Sequence, residues 1–219
     1  MSQAYNILII IADQLSQRAL GCYGDSYART GNIDSIASGG VRFSNFYTTC
    51  PLCAPARSSL WTGLLPHQTG VVSNGREYPC GDVGYNVPTM GAIFSRAGYD
   101  TVHFGKRHDS ETLRGFDCAD EAELPVEGSD CWPVDYDTRR DAYTTRQAVE
   151  FLSRRHERPF LVVADLNNPH DICNWVGAFA GAHRDAPVPG ELPDLPDNFE
   201  VEDFENRPLP VQYICCSHN

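Results

Sequence analysis

Lysine is nearly absent from this 219-residue chain: Lys106 is the single example, beside sixteen arginines. A sequence that otherwise chooses arginine keeps a compact ammonium at one place, which marks Lys106 as a functional candidate. Positive charge is scarce overall. Seventeen basic residues face 29 acidic ones, a net charge of −12 that argues against nucleic acid or an anionic membrane as partner. Long apolar runs are missing too. Ile7–Ala12 is too short for a membrane span or a secretory leader, so no membrane partner and a cytoplasmic location are expected. The nine cysteines lack the spacing of a disulfide framework, and there are no internal repeats.

What remains is an ordinary apolar content of 42%, enough for a globular domain with a sizeable core. Residues 1–184 read as that domain. From Asp185 the composition turns to Pro, Asp, Glu and Asn with little periodicity, so 185–219 read as an extended arm. Between Asp117 and Asp137 lie eight carboxylates and no Lys or Arg; without regular ligand spacing this is a solvated acidic loop rather than a calcium loop.

The chain is organised around Cys50-Pro51-Leu52-Cys53-Ala54-Pro55-Ala56-Arg57-Ser58-Ser59-Leu60-Trp61-Thr62-Gly63. Pro55 suits the first turn of a helix, and Gly63 suits its end. Cys53 then lies at a helix N-terminus, where free N–H groups and the dipole favour negative charge. Arg57 falls one turn along the same face. Sulfur, an anion-friendly helix end and a guanidinium together suit an oxyanion ester. Three other readings stay open at this point. Cys50 and Cys53 could be a redox pair, Cys53 could be merely structural, or the pair could be half a zinc site. No second C-x-x-C supports the last, since Cys215-Cys216 has the wrong spacing.

Taken in order, Asn6–Ala12 reads as a buried parallel strand that delivers Asp13-Gln14 at its carboxyl end, where open α/β sheets place their chemistry. Asn32 is expected to cap a helix through Ser38, with Ile33, Ile36 and Ala37 facing inward. Val41–Tyr47 is expected to be a second strand. His67 and Asn74 sit in a punctuated loop. A helix from Val87-Pro88-Thr89 through Ala97 precedes a strand over Asp100–Phe104, which delivers Gly105-Lys106-Arg107-His108. Tyr136–Arg155 has helical spacing, and Phe160–Leu166 is a further buried strand ending at Asn167-Asn168-Pro169-His170.

C-A-P-A-R followed by S-S-L-W-T-G closely resembles the sulfatase signature C-x-P-x-R-x-x-x-x-T-G. Asp13 resembles the family's first metal ligand, G-K-R-H its G-K-x-H element, and N-P-H its N-P-H segment. The resemblance implies an alkaline-phosphatase-like α/β fold, a mainly parallel sheet flanked by helices. It implies that Cys53 is oxidised to formylglycine, whose hydrated form attacks sulfur and later expels sulfate. A formylglycine-generating or anaerobic maturation enzyme would be a partner, and a small sulfated molecule the substrate. Catalysis would fall to Cys53, Arg57, Lys106, His108 and His170, with Lys106 and His170 also contacting the substrate. Calcium, or another divalent cation, would be held by Asp13, Gln14 and the modified Cys53. Gln14 stands where most relatives have a second Asp, as in choline-sulfatase-like and phosphonate-hydrolase-like branches. Asp197-Asn198 only superficially resembles the second metal pair, because no buried strand precedes it.

The resemblance covers the N-terminal half of what sulfatases usually have, so the chain reads as C-terminally truncated. Sulfate ester hydrolysis is the expected activity. Phosphonate or phosphate monoester hydrolysis on the same scaffold, or a catalytically silent fragment, are its alternatives.

Overall fold

The computed structural model describes residues 4–75, 81–119 and 136–170. These lie in one compact unit, Met1–Arg184. Most of the acidic loop, the arm from Asp185, Asp197-Asn198 and Cys215-Cys216 fall outside the described residues.

Four strands form one parallel sheet: β1 (Ile7–Ala12), β2 (Asp100–Gly105), β3 (Asp117–Cys118) and β4 (Phe160–Leu166), in the order β1-β4-β2-β3. β4 lies between β1 and β2 and is buried from Phe160 to Asp165, as expected of a near-continuous apolar run with both faces covered. Its side chains alternate between two cores. Leu161 and Val163 join Trp61, Leu113 and Phe116 on one face, with Ile7, Ile9, Ile11, Met90 and Phe94 packed around them. Phe160, Val162 and Ala164 join Phe104 and Ala148 on the other. The first core is closed by α2 (Cys53–Thr62), with the short α3 (Pro66–Thr69) against it, and by α4 (Met90–Arg96); the second is closed by α5 (Tyr136–Leu152). This is the expected α/β sheet with helices on both faces. β1, by contrast, is only partly buried, and on one face: Ile7, Ile9 and Ile11 pack on the core, while Leu8 and Ile10 are 44% and 57% exposed.

Two segments differ from expectation. Val41–Tyr47 is not a strand. Val41, Phe43, Phe46 and Tyr47 are exposed, and the backbone carbonyls of Phe43 and Ser44 accept from the side chains of Tyr23 and Gln17 rather than from a ladder. Alternating apolar residues make a strand only where a neighbour supplies pairing. The helix α1 (Gly31–Gly39) begins after Thr30, not at Asn32, and it buries no residue, so Ile33 and Ile36 do not face inward. Its anchor is polar. Asp34 accepts from the Cys22 backbone N–H and from the Thr30 hydroxyl.

Candidate active site

Because every strand runs the same way, the residues after β1, β2 and β4 emerge along one edge of the sheet. The Asp13 N–H donates to the Leu166 carbonyl at 3.2 Å, one step beyond the β1–β4 ladder. The Lys106 N–H donates to the Asp165 carbonyl at 2.9 Å. Between them Gly105 adopts φ +95°, and a Cβ there would stand 2.0 Å from the Asp165 carbonyl oxygen. Only glycine allows this backbone approach.

α2 presents its N-terminus to the same edge. Cys53 is its first residue, following Leu52 in extended conformation, and Gly63 closes it in the left-handed region at φ 72°. No side chain of the helix caps its start. Asn74 does so from a distant loop, its Oδ1 accepting from the Ala54 N–H at 3.0 Å. The Cys53 thiol lies 3.8 Å from Asp13 Oδ2. Lys106 Nζ donates to the same Asp13 oxygen, and an Arg57 terminal nitrogen stands 3.9 Å from it. Ligand atoms of Asp13, Cys53 and His170 lie within 4.8 Å of one another. Five of the expected residues therefore meet: Asp13, Cys53, Arg57, Lys106 and His170.

The electrostatics follow from that packing. Partial burial opposes ionisation of Asp13, but the hydrogen bond and charge of Lys106, then the charges of Arg57 and His170, outweigh it and hold the carboxyl below its ordinary range. Burial likewise disfavours the Arg57 cation, yet Asp165, with Asp13 and Cys53 behind it, pushes its pKa further up. Arg57 stays charged in a buried position.

Gln14 and His108 make no hydrogen bond or ion pair with this group among the described residues. Both are exposed in the left-handed region, at φ 64° and 42°. Cys50 and Cys53 are free cysteines. Calcium prefers six to eight oxygen ligands, whereas the described residues offer one carboxylate, a sulfur and an imidazole. They do not complete a calcium site.

Three contributors escaped the sequence reading. Asp165 is fully buried and accepts from both terminal nitrogens of Arg57, the NH2–Oδ1 bond measuring 2.9 Å. His103, buried beside it, brings Nε2 to 3.5 Å from Asp165 Oδ2 without a hydrogen bond. Asp141, on α5, accepts from the loop that leads to His170. A carboxylate inside the apolar run Phe-Leu-Val-Val-Ala-Asp-Leu was the one signal on offer, since such a residue needs a buried partner.

A sulfatase family model matches residues 5–200. The chain belongs to the sulfatase family. It is 49% identical over 213 residues to a Delta 4,5-hexuronate-2-O-sulfatase of Bacteroides thetaiotaomicron, covering 97% of this chain and 44% of that protein. It is 30% identical to a choline-sulfatase of Rhizobium meliloti, covering 76% and 38%. Among solved structures, a 2-O GAG sulfatase superposes with a TM-score of 0.84 at 48% identity, over 97% of this chain and 45% of that one. The phosphonate monoester hydrolase of Agrobacterium radiobacter shares the fold at a TM-score of 0.59 and 20% identity, over 76% and 41%. This sulfatase chain thus spans less than half the length of these relatives. Among its described residues no helix is long and apolar enough to cross a membrane.

Proposed function

We propose that this sulfatase chain serves sulfate ester hydrolysis, R–O–SO₃⁻ + H₂O → ROH + SO₄²⁻ + H⁺, with residue 53 as formylglycine after maturation by a formylglycine-generating or anaerobic enzyme. The observation that carries the reading is Cys53 at the positive end of α2, with Asp13, Arg57, Lys106 and His170 gathered around it. When formed, formylglycine supplies a hydrated aldehyde as nucleophile towards sulfur.

The chain's own residues would divide the remaining work. The N-terminal amides of α2 favour the negative charge of a sulfate. Lys106 spends one of its three N–H donors on Asp13 and keeps two for sulfate oxygens. Arg57 is fixed by bonds from both terminal nitrogens to Asp165, which would hold its charge beside residue 53. The His170 imidazole, whose ring nitrogen lies within 4.8 Å of Asp13 and Cys53 ligand atoms, would give a proton to the departing alkoxide. His108 would join as a second proton carrier if substrate draws it in.

The substrate class follows the 49%-identical relative, whose name specifies a 2-O-sulfated hexuronate. A calcium ion at Asp13 would take its other ligands from residues outside the described ones. The test is peptide mass spectrometry across Cys53 after co-expression with a maturation enzyme, then turnover. Loss of about 18 Da relative to cysteine, with release of sulfate from a 2-O-sulfated unsaturated uronide, is the expected result. Preference for a phenylphosphonate ester, or unmodified cysteine with undiminished turnover, would overturn it.

A further inference from the structure

We propose that Asp141 is a positioning residue that holds His170 at the site through the turn preceding it, an inference that deepens the sulfatase reading and rests on it. Asp141 lies well inside α5, away from either helix end, so it caps nothing there. Among the described residues, its carboxylate bonds to the loop after β4. Oδ1 accepts from the Asn167 backbone N–H at 2.6 Å and from Asn167 Nδ2 at 3.3 Å. Oδ2 accepts from the Asn168 backbone N–H at 2.9 Å and from Asn168 Nδ2 at 2.7 Å. The turn then closes on itself, the His170 N–H donating to the Asn167 carbonyl at 3.1 Å. One end of this chain of bonds is a helix packed on the sheet; the other is the imidazole beside Asp13 and Cys53.

Four N–H donors, two of them backbone, converge on the two oxygens, an arrangement that suits a carboxylate. Each oxygen meets two N–H donors, so an isosteric amide would turn its own NH₂ against one backbone N–H and one side-chain NH₂, in either orientation. Asn167 is only 6% exposed, and water is poorly placed to replace the lost acceptor. Asp141→Asn therefore keeps the shape of the clamp and breaks its bonding. A misplacement near 1 Å is worth roughly a hundredfold in rate.

The experiment compares the chain with Asp141→Asn, His170→Ala and the double variant, using 4-nitrophenyl sulfate and the His170 ring signals in ¹H–¹³C spectra. For Asp141→Asn we expect kcat to fall about 10- to 100-fold with KM within about threefold. In the His170→Ala background the same change should cost less than about threefold, because the loss passes through one side chain. The two losses multiplying in full would make Asp141 a general structural anchor and overturn the proposal. So would an unchanged kcat. If the wild-type chain turns over no sulfate ester, the sulfatase reading of this chain fails, and the spectra decide the clamp separately. A displaced His170 ring signal in Asp141→Asn supports it, and an unmoved one overturns it. Should Asp141→Asn not fold, Asn168→Ala removes a single donor from the same carboxylate. A few-fold smaller kcat and a displaced His170 signal are then expected, and the absence of both overturns the proposal.

Discussion

Asp165 and Arg57 meet end to end inside the protein, both terminal guanidinium nitrogens on both carboxylate oxygens, across 108 positions of sequence. The arginine is 5% exposed and the carboxylate not at all. A pair so placed is costly to desolvate and costlier to break. Asp165→Ala leaves a buried guanidinium without its counter-charge, and a loss of about 3–5 kcal/mol is expected in urea unfolding. Adding Arg57→Met to an Asp165→Leu variant should recover most of that stability, because two apolar side chains need no partner. Equal stability of Asp165→Ala and the wild type would contradict the picture.

Gly105→Ala should be disruptive for a different reason. The new methyl would sit 2.0 Å from the Asp165 carbonyl oxygen and 2.8 Å from Thr144 Cγ2, in a left-handed backbone. Strain alone is worth about 1–3 kcal/mol, and the clash adds to it. Since Lys106 follows directly, the variant should lose sulfate-ester turnover by more than its fall in melting temperature explains.

Acid should expose the pairing of Asp13. Its folded carboxyl titrates below the unfolded value, so the ionised form contributes stability that is fully present above the unfolded pKa of about 3.9 and is lost as pH falls through the folded one. The stability difference between wild type and Asp13→Asn should be flat from pH 7 to about pH 5 and shrink below about pH 4. Urea midpoints at pH 7, 5 and 3 measure it; a difference that grows towards acid would reverse the sign.

Asn74→Ala removes the side-chain acceptor that meets the Ala54 N–H at the start of α2. The cost expected of a lost N-cap is about 0.5–2 kcal/mol. The more telling readout is conversion of Cys53 by a maturation enzyme, followed by mass spectrometry. An orphaned first turn should fray around Cys53, and if that residue is the one matured, the yield of formylglycine should fall.

Much of the site was legible because its signals are local. Pro55 and Gly63 bracket α2, the apolar runs Ile7–Ala12 and Phe160–Leu166 are strands, and their carboxyl ends carry Asp13 and the turn to His170. The supporting partners were not legible. Arg57 could be seen, but its neighbour Asp165 lies on a strand brought alongside only by folding. Asp141 looks like any polar helix residue until β4 ends beside it. Val41–Tyr47 failed for the opposite reason: its local pattern suits a strand, yet no described strand pairs with it. Lone residues with an alternating pattern predict capacity to pair, not a partner.

The ladder that places Ile11 and Gly105 on either side of Asp165 also acts as a ruler. One extra residue within β1 would advance Asp13 by about 3.3 Å and turn its side chain to the opposite face, beyond the reach of Lys106. Length changes in this protein are therefore admissible in its connecting segments and forbidden in its strands, and the spacing of the active groups is inherited from backbone pairing rather than from the groups themselves.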